Sequence, residues 1–410
     1  MKKSSSNHIN YILTFIKDIC WVTQNEFKQI FKDRGVMLIF FVAGLLYPIL
    51  YNFIYKNEVI YELPVAVVDL SNSAESRDFI KKINATQEIK ITENCMNLEQ
   101  ARDLFLRHKV RGVVYFPNDY HIKLRNMEQS PVSIYNDMSS FLYYKTMTMG
   151  VSYAMLDEMK SIQINRYDVA GITGEQQAQI IEAIPVSDIV LYNPGGGFSS
   201  FLLPAILILI IHQTLFFGIT MLAGTAREKN SNHLQIPDHL LGKGIYRVVI
   251  GKGISYFMLY IVITAYILVL VTRWFNLPHI GSVWTLLHVM IPFLIATIFF
   301  SMSISIFVKN RETGLITFLF CTLILLFLAG FSWPRASMPA FWKYFSYLFP
   351  STHGIQAYIK INSNGANLSQ VRFEYIWLWI MSGFYLITSC LSLSYMVKHE
   401  KSPVTLQAKG

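Results

Sequence analysis

Apolar residues in this chain gather into long unbroken runs rather than short alternating stretches. The first runs from Val36 to Tyr55, and a long polar block follows it. Further runs then extend over Phe198 to Ala223, Ile245 to Thr272, Val283 to Val308, Leu315 to Phe331 and Tyr375 to Val397. Each is close to the ~20 residues that carry an α-helix across a bilayer core. The pattern predicts a polytopic α-helical membrane protein of about six transmembrane helices, with an α/β extracytoplasmic domain inserted after the first.

Inside the polar block the period changes. Pro64 to Leu70 (PVAVVDL) is a short apolar run bounded by turn residues, which reads as a buried strand. Glu75 to Asn84 reads as a helix with Ser73 at its N-cap, Ile89 to Thr92 as a strand, and Leu98 to His108 as a helix. Val110 to Pro117 and Val132 to Asp137 supply two more strands. Strands and helices alternating at this spacing imply a small α/β domain with a largely parallel sheet. Longer helices follow at Ser140 to Tyr167 and near Glu175 to Ala183, and Pro185 to Pro194 reads as extended. The expected limits of the whole insertion are residues 56–197, after a first span at 36–55.

Residues 1–35 carry a different signature. Ile12, Ile16, Ile19, Phe27, Ile30 and Phe31 recur at helical spacing, with Lys17, Asp18, Gln24, Glu26, Lys28 and Lys32 on the other face. An amphipathic helix of this kind lies in the inner membrane interface or packs, solvated, on another protein; the span that follows directly favours the interface. Within the spanning region 198–397 two segments stand out. One is the polar connection 226–244. The other is the aromatic stretch 332–360, broken by Pro334, Pro339 and Pro350, which reads as a re-entrant hairpin of short helices with Trp333 and Trp342 at the outer interface.

Composition sharpens the membrane reading. Of 410 residues, 53% are hydrophobic and 15% charged, below the ~25% charged of soluble domains. The net charge of +9 suggests nucleic acid in a soluble protein, but here the basic residues flank the spans, and no nucleic-acid partner is expected. Lys17, Lys28, Lys32 and Arg34 precede the first run; Arg227, Lys229, Lys243 and Arg247 lie between the second and third; Lys309 and Arg311 between the fourth and fifth; Lys398, Lys401 and Lys409 after the last. By the positive-inside rule both termini, including the tail 398–410, are cytoplasmic and the inserted domain is outside. The first apolar run begins too late for a cleaved signal peptide and reads as a retained anchor. Cys95 is the sole cysteine of the inserted domain, which excludes a disulfide within it.

Catalytic and metal motifs are missing. Neither Gly242-Lys243 nor Gly251-Lys252 completes a phosphate-binding loop, since Pro237 and Tyr246 stand where the first Gly belongs. His212, His279, His288 and His353 are scattered singly, and the spans lack the carboxylates of a proton-driven pump. Any work done by this protein therefore draws its energy from a partner.

The order of motifs resembles the permease subunits of ABC-2-type ABC exporters, in the branch with a large extracytoplasmic domain between the first two helices. The resemblance rests on YNPGGGFSSFLLP (Tyr192 to Pro204), AREK (Ala226 to Lys229), LLGK (Leu240 to Lys243), KNRETG (Lys309 to Gly314), FSWPRASMP (Phe331 to Pro339) and YLFPSTHGIQAY (Tyr347 to Tyr358). One departure is NSNHLQIP after AREK, where relatives often carry an acidic, Gly-Thr-containing stretch. The resemblance implies a non-enzymatic half-transporter of the bacterial inner membrane that pairs as a homodimer or with a sister permease. ATP belongs to a cytoplasmic ABC ATPase subunit, and no cofactor to this chain. Arg227, Glu228, Lys229, Leu234, Ile236 and Leu240 would form the ATPase-coupling loop, and Trp333, Pro334, Pro339, Trp342 and Pro350 the outer hairpin. Substrates of such exporters are drug-like, hydrophobic or envelope-related, and a periplasmic adaptor accompanies export across two membranes. The competing reading from another class is a membrane-anchored extracytoplasmic sensor or binding module, which needs far fewer spans.

Overall fold

The computed structural model describes residues 2–57, 59–182, 189–193, 195–228, 240 and 244–400. They form two compact units, Met1–Glu58 with Leu191–Gly410, and Val59–Val190. The chain begins with helix α1 (Lys2–Lys32) and turns at Asp33 into the first span, α2 (Arg34–Ile54). Asp33 makes that turn: its carboxylate accepts hydrogen bonds from the backbone N–H groups of Gly35 and Val36, the N-cap arrangement that satisfies orphan donors. Residues Leu38–Ala43 within α2 form a π-helical turn.

The second unit holds a four-stranded sheet. In chain order its elements are β1 (Leu63–Asp69), α3 (Ala74–Ala85), β2 (Ile89–Cys95), α4 (Leu98–Leu106), β3 (Gly112–Phe116), α5 (Tyr120–Arg125), β4 (Ser133–Asn136), α6 (Phe141–Val169) and α7 (Glu175–Ile181). The strand order is β2-β1-β3-β4, with β1 parallel to both neighbours and β4 antiparallel at the edge. Central β1 explains why its sequence is a continuous apolar run. Val65 and Val67 join the core under α3 and α6, with Phe79, Ile83, Met147 and Val151. Ala66 and Val68 join the core on the opposite face, with Cys95, Ala101 and Val110. A parallel strand covered on both faces carries no alternation. Ser73 caps α3 in a reciprocal box with Ser76, and Asn97 caps α4. The short helix α5 interrupts what the sequence pattern presents as a plain connection.

The chain then returns to the first unit through α8 (Phe198–Glu228), α9 (Ile245–Trp274), α10 (Val283–Phe307), α11 (Arg311–Leu328), α12 (Ala340–Phe345), α13 (Pro350–Asn362) and α14 (Arg372–Glu400). Among the described residues, α2, α8, α9, α10 and α14 are long and apolar enough to cross a membrane. The fifth expected span is α11, of 18 residues. Central α8 has 83% of its apolar window buried, against 28% in α2 and α14, so lipid or a partner must cover the outer two. Small residues permit the tight packing: a Cβ on Gly218 would overlap the ring of Phe40, and one on Gly224 would lie 2.7 Å from the Asn310 carbonyl oxygen.

Candidate functional site

One side of the helical unit gathers the ends of α8 and α14 with the starts of α9 and α11, and α1 lies against them. Buried charge organises this layer. Asp18 pairs with Arg247 at 2.7 Å, and Glu26 with Lys252 at 2.9 Å while accepting from the Tyr256 hydroxyl at 2.5 Å. Asp33 pairs with Arg311. The backbone joins in: Thr23 Oγ1 donates to the Gly251 carbonyl at 3.0 Å and Ser255 Oγ to that of Thr23 at 3.1 Å. The buried stripe of α1 is therefore Asp18, Val22, Glu26 and Ile30, while Leu13, Ile16, Trp21 and Phe31 stay exposed. That corrects the amphipathic reading of α1, in which both acids belong to the outward polar face. A cationic partner on α9 makes burial of each carboxylate tolerable.

Arg227 and Glu228 do not lie on a loop. They end α8, where Arg227 donates to the Ile306 carbonyl oxygen at 3.2 Å and to Met396 Sδ at 3.0 Å. Glu228 Oε1 accepts from the Arg311 backbone N–H at 2.7 Å, at the start of α11. Leu240 is fully buried with Val22, Ile245, Val248 and Val249. Lys229, Leu234 and Ile236 lie outside the described residues, as does the tail from Lys401. A cavity of about 50 Å³ opens among Glu26, Arg227, Lys252, Tyr256, Ser389 and Ser392.

The hairpin divides in two. Trp333, Pro334, Pro339 and Trp342 are exposed, and Trp333 Nε1 donates to the Ser337 carbonyl at 3.3 Å. Pro350 is buried, and it opens a helix of 13 residues whose length and burial exceed the short interfacial helices that the prolines suggest. The far end of α13 reaches the α9–α10 connection, where Asn362 Nδ2 donates to the Pro278 carbonyl at 2.9 Å and Ile361 packs against Gly281. Its start is 11 residues away, about 16 Å along the helix at 1.5 Å per residue. The non-helical backbone that leads into it is paired within the protein. Trp377 Nε1 donates to the Tyr347 carbonyl at 3.1 Å and the Tyr385 hydroxyl to that of Leu348 at 2.5 Å, both from α14. Sequence reasoning missed these two residues because each looks like an ordinary membrane aromatic.

Five helices long and apolar enough to cross a membrane among the described residues, with a separate inserted α/β unit, are the architecture of a multi-pass membrane protein. The description "ABC-2 family transporter protein" matches residues 34–391, and the chain belongs to that family. It is a transporter permease subunit, and the family implies association with an ABC ATPase. No curated protein matches the chain.

Proposed function

We propose that this permease is the membrane half of an ATP-driven exporter in a bacterial inner membrane, working as a homodimer or with a sister permease. A cytoplasmic ABC ATPase supplies the energy, and both termini face the cytoplasm with the inserted unit outside. The substrate is drug-like, hydrophobic or envelope-related. The observation that carries this reading is the charged layer. It ties α1 to the starts of α9 and α11, so that force applied there reaches several spans together. Basic residues concentrated in the same layer fit the cytoplasmic side.

Co-purification tests the partnership. The full chain, expressed with each candidate ABC ATPase subunit of its source genome in turn, should retain one of them through solubilisation and affinity purification, and reconstitution of that pair should give ATP-dependent transport across proteoliposomes. Purification of the permease free of any ATPase, together with transport that ignores ATP, would rule out this reading.

A further inference from the structure

The start of α13 combines features that a purely structural helix end lacks. Its first residue is Pro350, and its N-cap Phe349 offers no side-chain hydrogen bond. Helix N-termini carry unsatisfied N–H groups and partial positive charge. This one lies about 16 Å along the helix from the end that packs on Gly281. Ser351, Thr352 and His353 form its first turn and are fully buried. Neither hydroxyl has a hydrogen-bond partner. On neighbouring α8, His212 is also fully buried with both ring nitrogens unpartnered. Its ring is 5.7 Å from Phe300, whose own ring is 5.9 Å from Phe349. Unpartnered buried polar groups are costly and mark functional positions.

The charge of the missing partner follows from what surrounds the site. The carboxylates on the elements around α13 are Glu228, Glu312, Glu374 and Glu400, and the buried one, Glu374, is paired with Lys360 of α13 at 2.6 Å. The guanidinium of Arg335 lies 4.8 Å over the Tyr347 ring, itself 5.5 Å from that of His353. Helix N–H groups can only donate, hydroxyls and imidazoles can do so, and the Arg335 guanidinium adds positive charge, so an anion is the better match. The cavity at the charged layer is walled by the same helices α8, α10 and α14 that surround α13. Its wall residues Ile219 and Ser389 lie about one helical turn from Phe216 and Tyr385 of the aromatic layer, and Met302 two residues from Phe300.

We propose that the buried N-terminus of α13, with Ser351 and Thr352, binds the anionic head of the transported molecule, a carboxylate-, phosphate- or sulfonate-bearing amphiphile. The proposal rests on the exporter reading for the word transported, while the site itself is open to a direct binding test. The full chain in phosphatidylcholine nanodiscs is titrated with 11-(dansylamino)undecanoic acid and, separately, with the matched dansylated undecylamine, subtracting empty nanodiscs. The acid should bind with clear preference. Ser351→Ala with Thr352→Ala, small changes that leave packing nearly intact, should weaken it about tenfold, the size expected for lost hydrogen bonds to a charged group. Ser351→Asp should abolish it. Equal binding of acid and amine, or unchanged binding of the acid by the double alanine variant, would overturn the proposal. Displacement of the acid by millimolar inorganic phosphate would overturn the amphiphile and leave a free-anion site. None of these readouts involves the ATPase, so failure here leaves the co-purification result standing.

Discussion

At Gly218 the absence of a side chain decides how two spans meet. The Phe40 ring, within the π-helical turn of α2, occupies the space where a Cβ would stand. Gly218→Ala gains helix propensity of up to about 1 kcal/mol, but overpacking costs about 1–3 kcal/mol. The net effect should be a lower thermal midpoint of the solubilised protein, restored by adding Phe40→Leu. A second residue-scale effect belongs to the inserted unit. The Ser139 hydroxyl and backbone N–H donate to Asp137, and Arg111 pairs with it at 3.3 Å. Ser139 foremost, then Arg111, holds the Asp137 carboxyl below its usual range against the opposing cost of burial. Its stabilisation is thus complete above the unfolded value of about 3.9 and is lost as pH falls through the lower native one. Ser139→Ala should shift acid-induced proteolytic sensitivity of this unit to higher pH, read from limited pepsin digestion.

Among the elements, α1 and the end of α8 change meaning once packed. The sequence presents α1 as an amphipathic helix with its acids outward; in the fold those acids are its inner anchors, and part of its apolar face is left exposed. Periodicity cannot distinguish these cases, because a carboxylate beside Lys252 or Arg247 is as acceptable inside as a leucine. The family-derived coupling residues Arg227 and Glu228 similarly clamp α8 to α10, α11 and α14. Arg227→Ala with Glu228→Ala should cost about 1–3 kcal/mol of stability and should also lower transport per folded molecule if the clamp passes on the ATPase stroke. Transport that falls only in proportion to folded protein would assign both residues a structural part.

On the scale of the whole molecule, orientation is the quantity to measure. Asn126, exposed in the inserted unit, and Cys20, exposed on α1, should be labelled from opposite sides. With Asn126→Cys, a membrane-impermeant maleimide should react in intact cells after removal of the outer barrier, while native Cys20 should need permeabilisation. Cys95 adds little background, since burial raises its thiol pKa and leaves few thiolates. Labelling of Cys20 from outside would invert the proposed arrangement.

The runs of apolar residues by themselves pointed to a polytopic helical membrane protein and to the alternation of strands and helices in the polar block, because a bilayer and a buried strand each impose a length and a period on any chain. Ser73 as a helix cap was equally legible, being a local bond between neighbours. The sequence did not disclose the inward acids of α1, the length and burial of α13, or the hydrogen bonds by which Trp377 and Tyr385 hold the hairpin tip. Those depend on partners such as Glu26 and Lys252, far apart in the chain, and no local pattern records which distant group meets a given side chain. The tertiary structure alone decided them, because the cost of burying a charge or a bare helix end is set by what lies opposite.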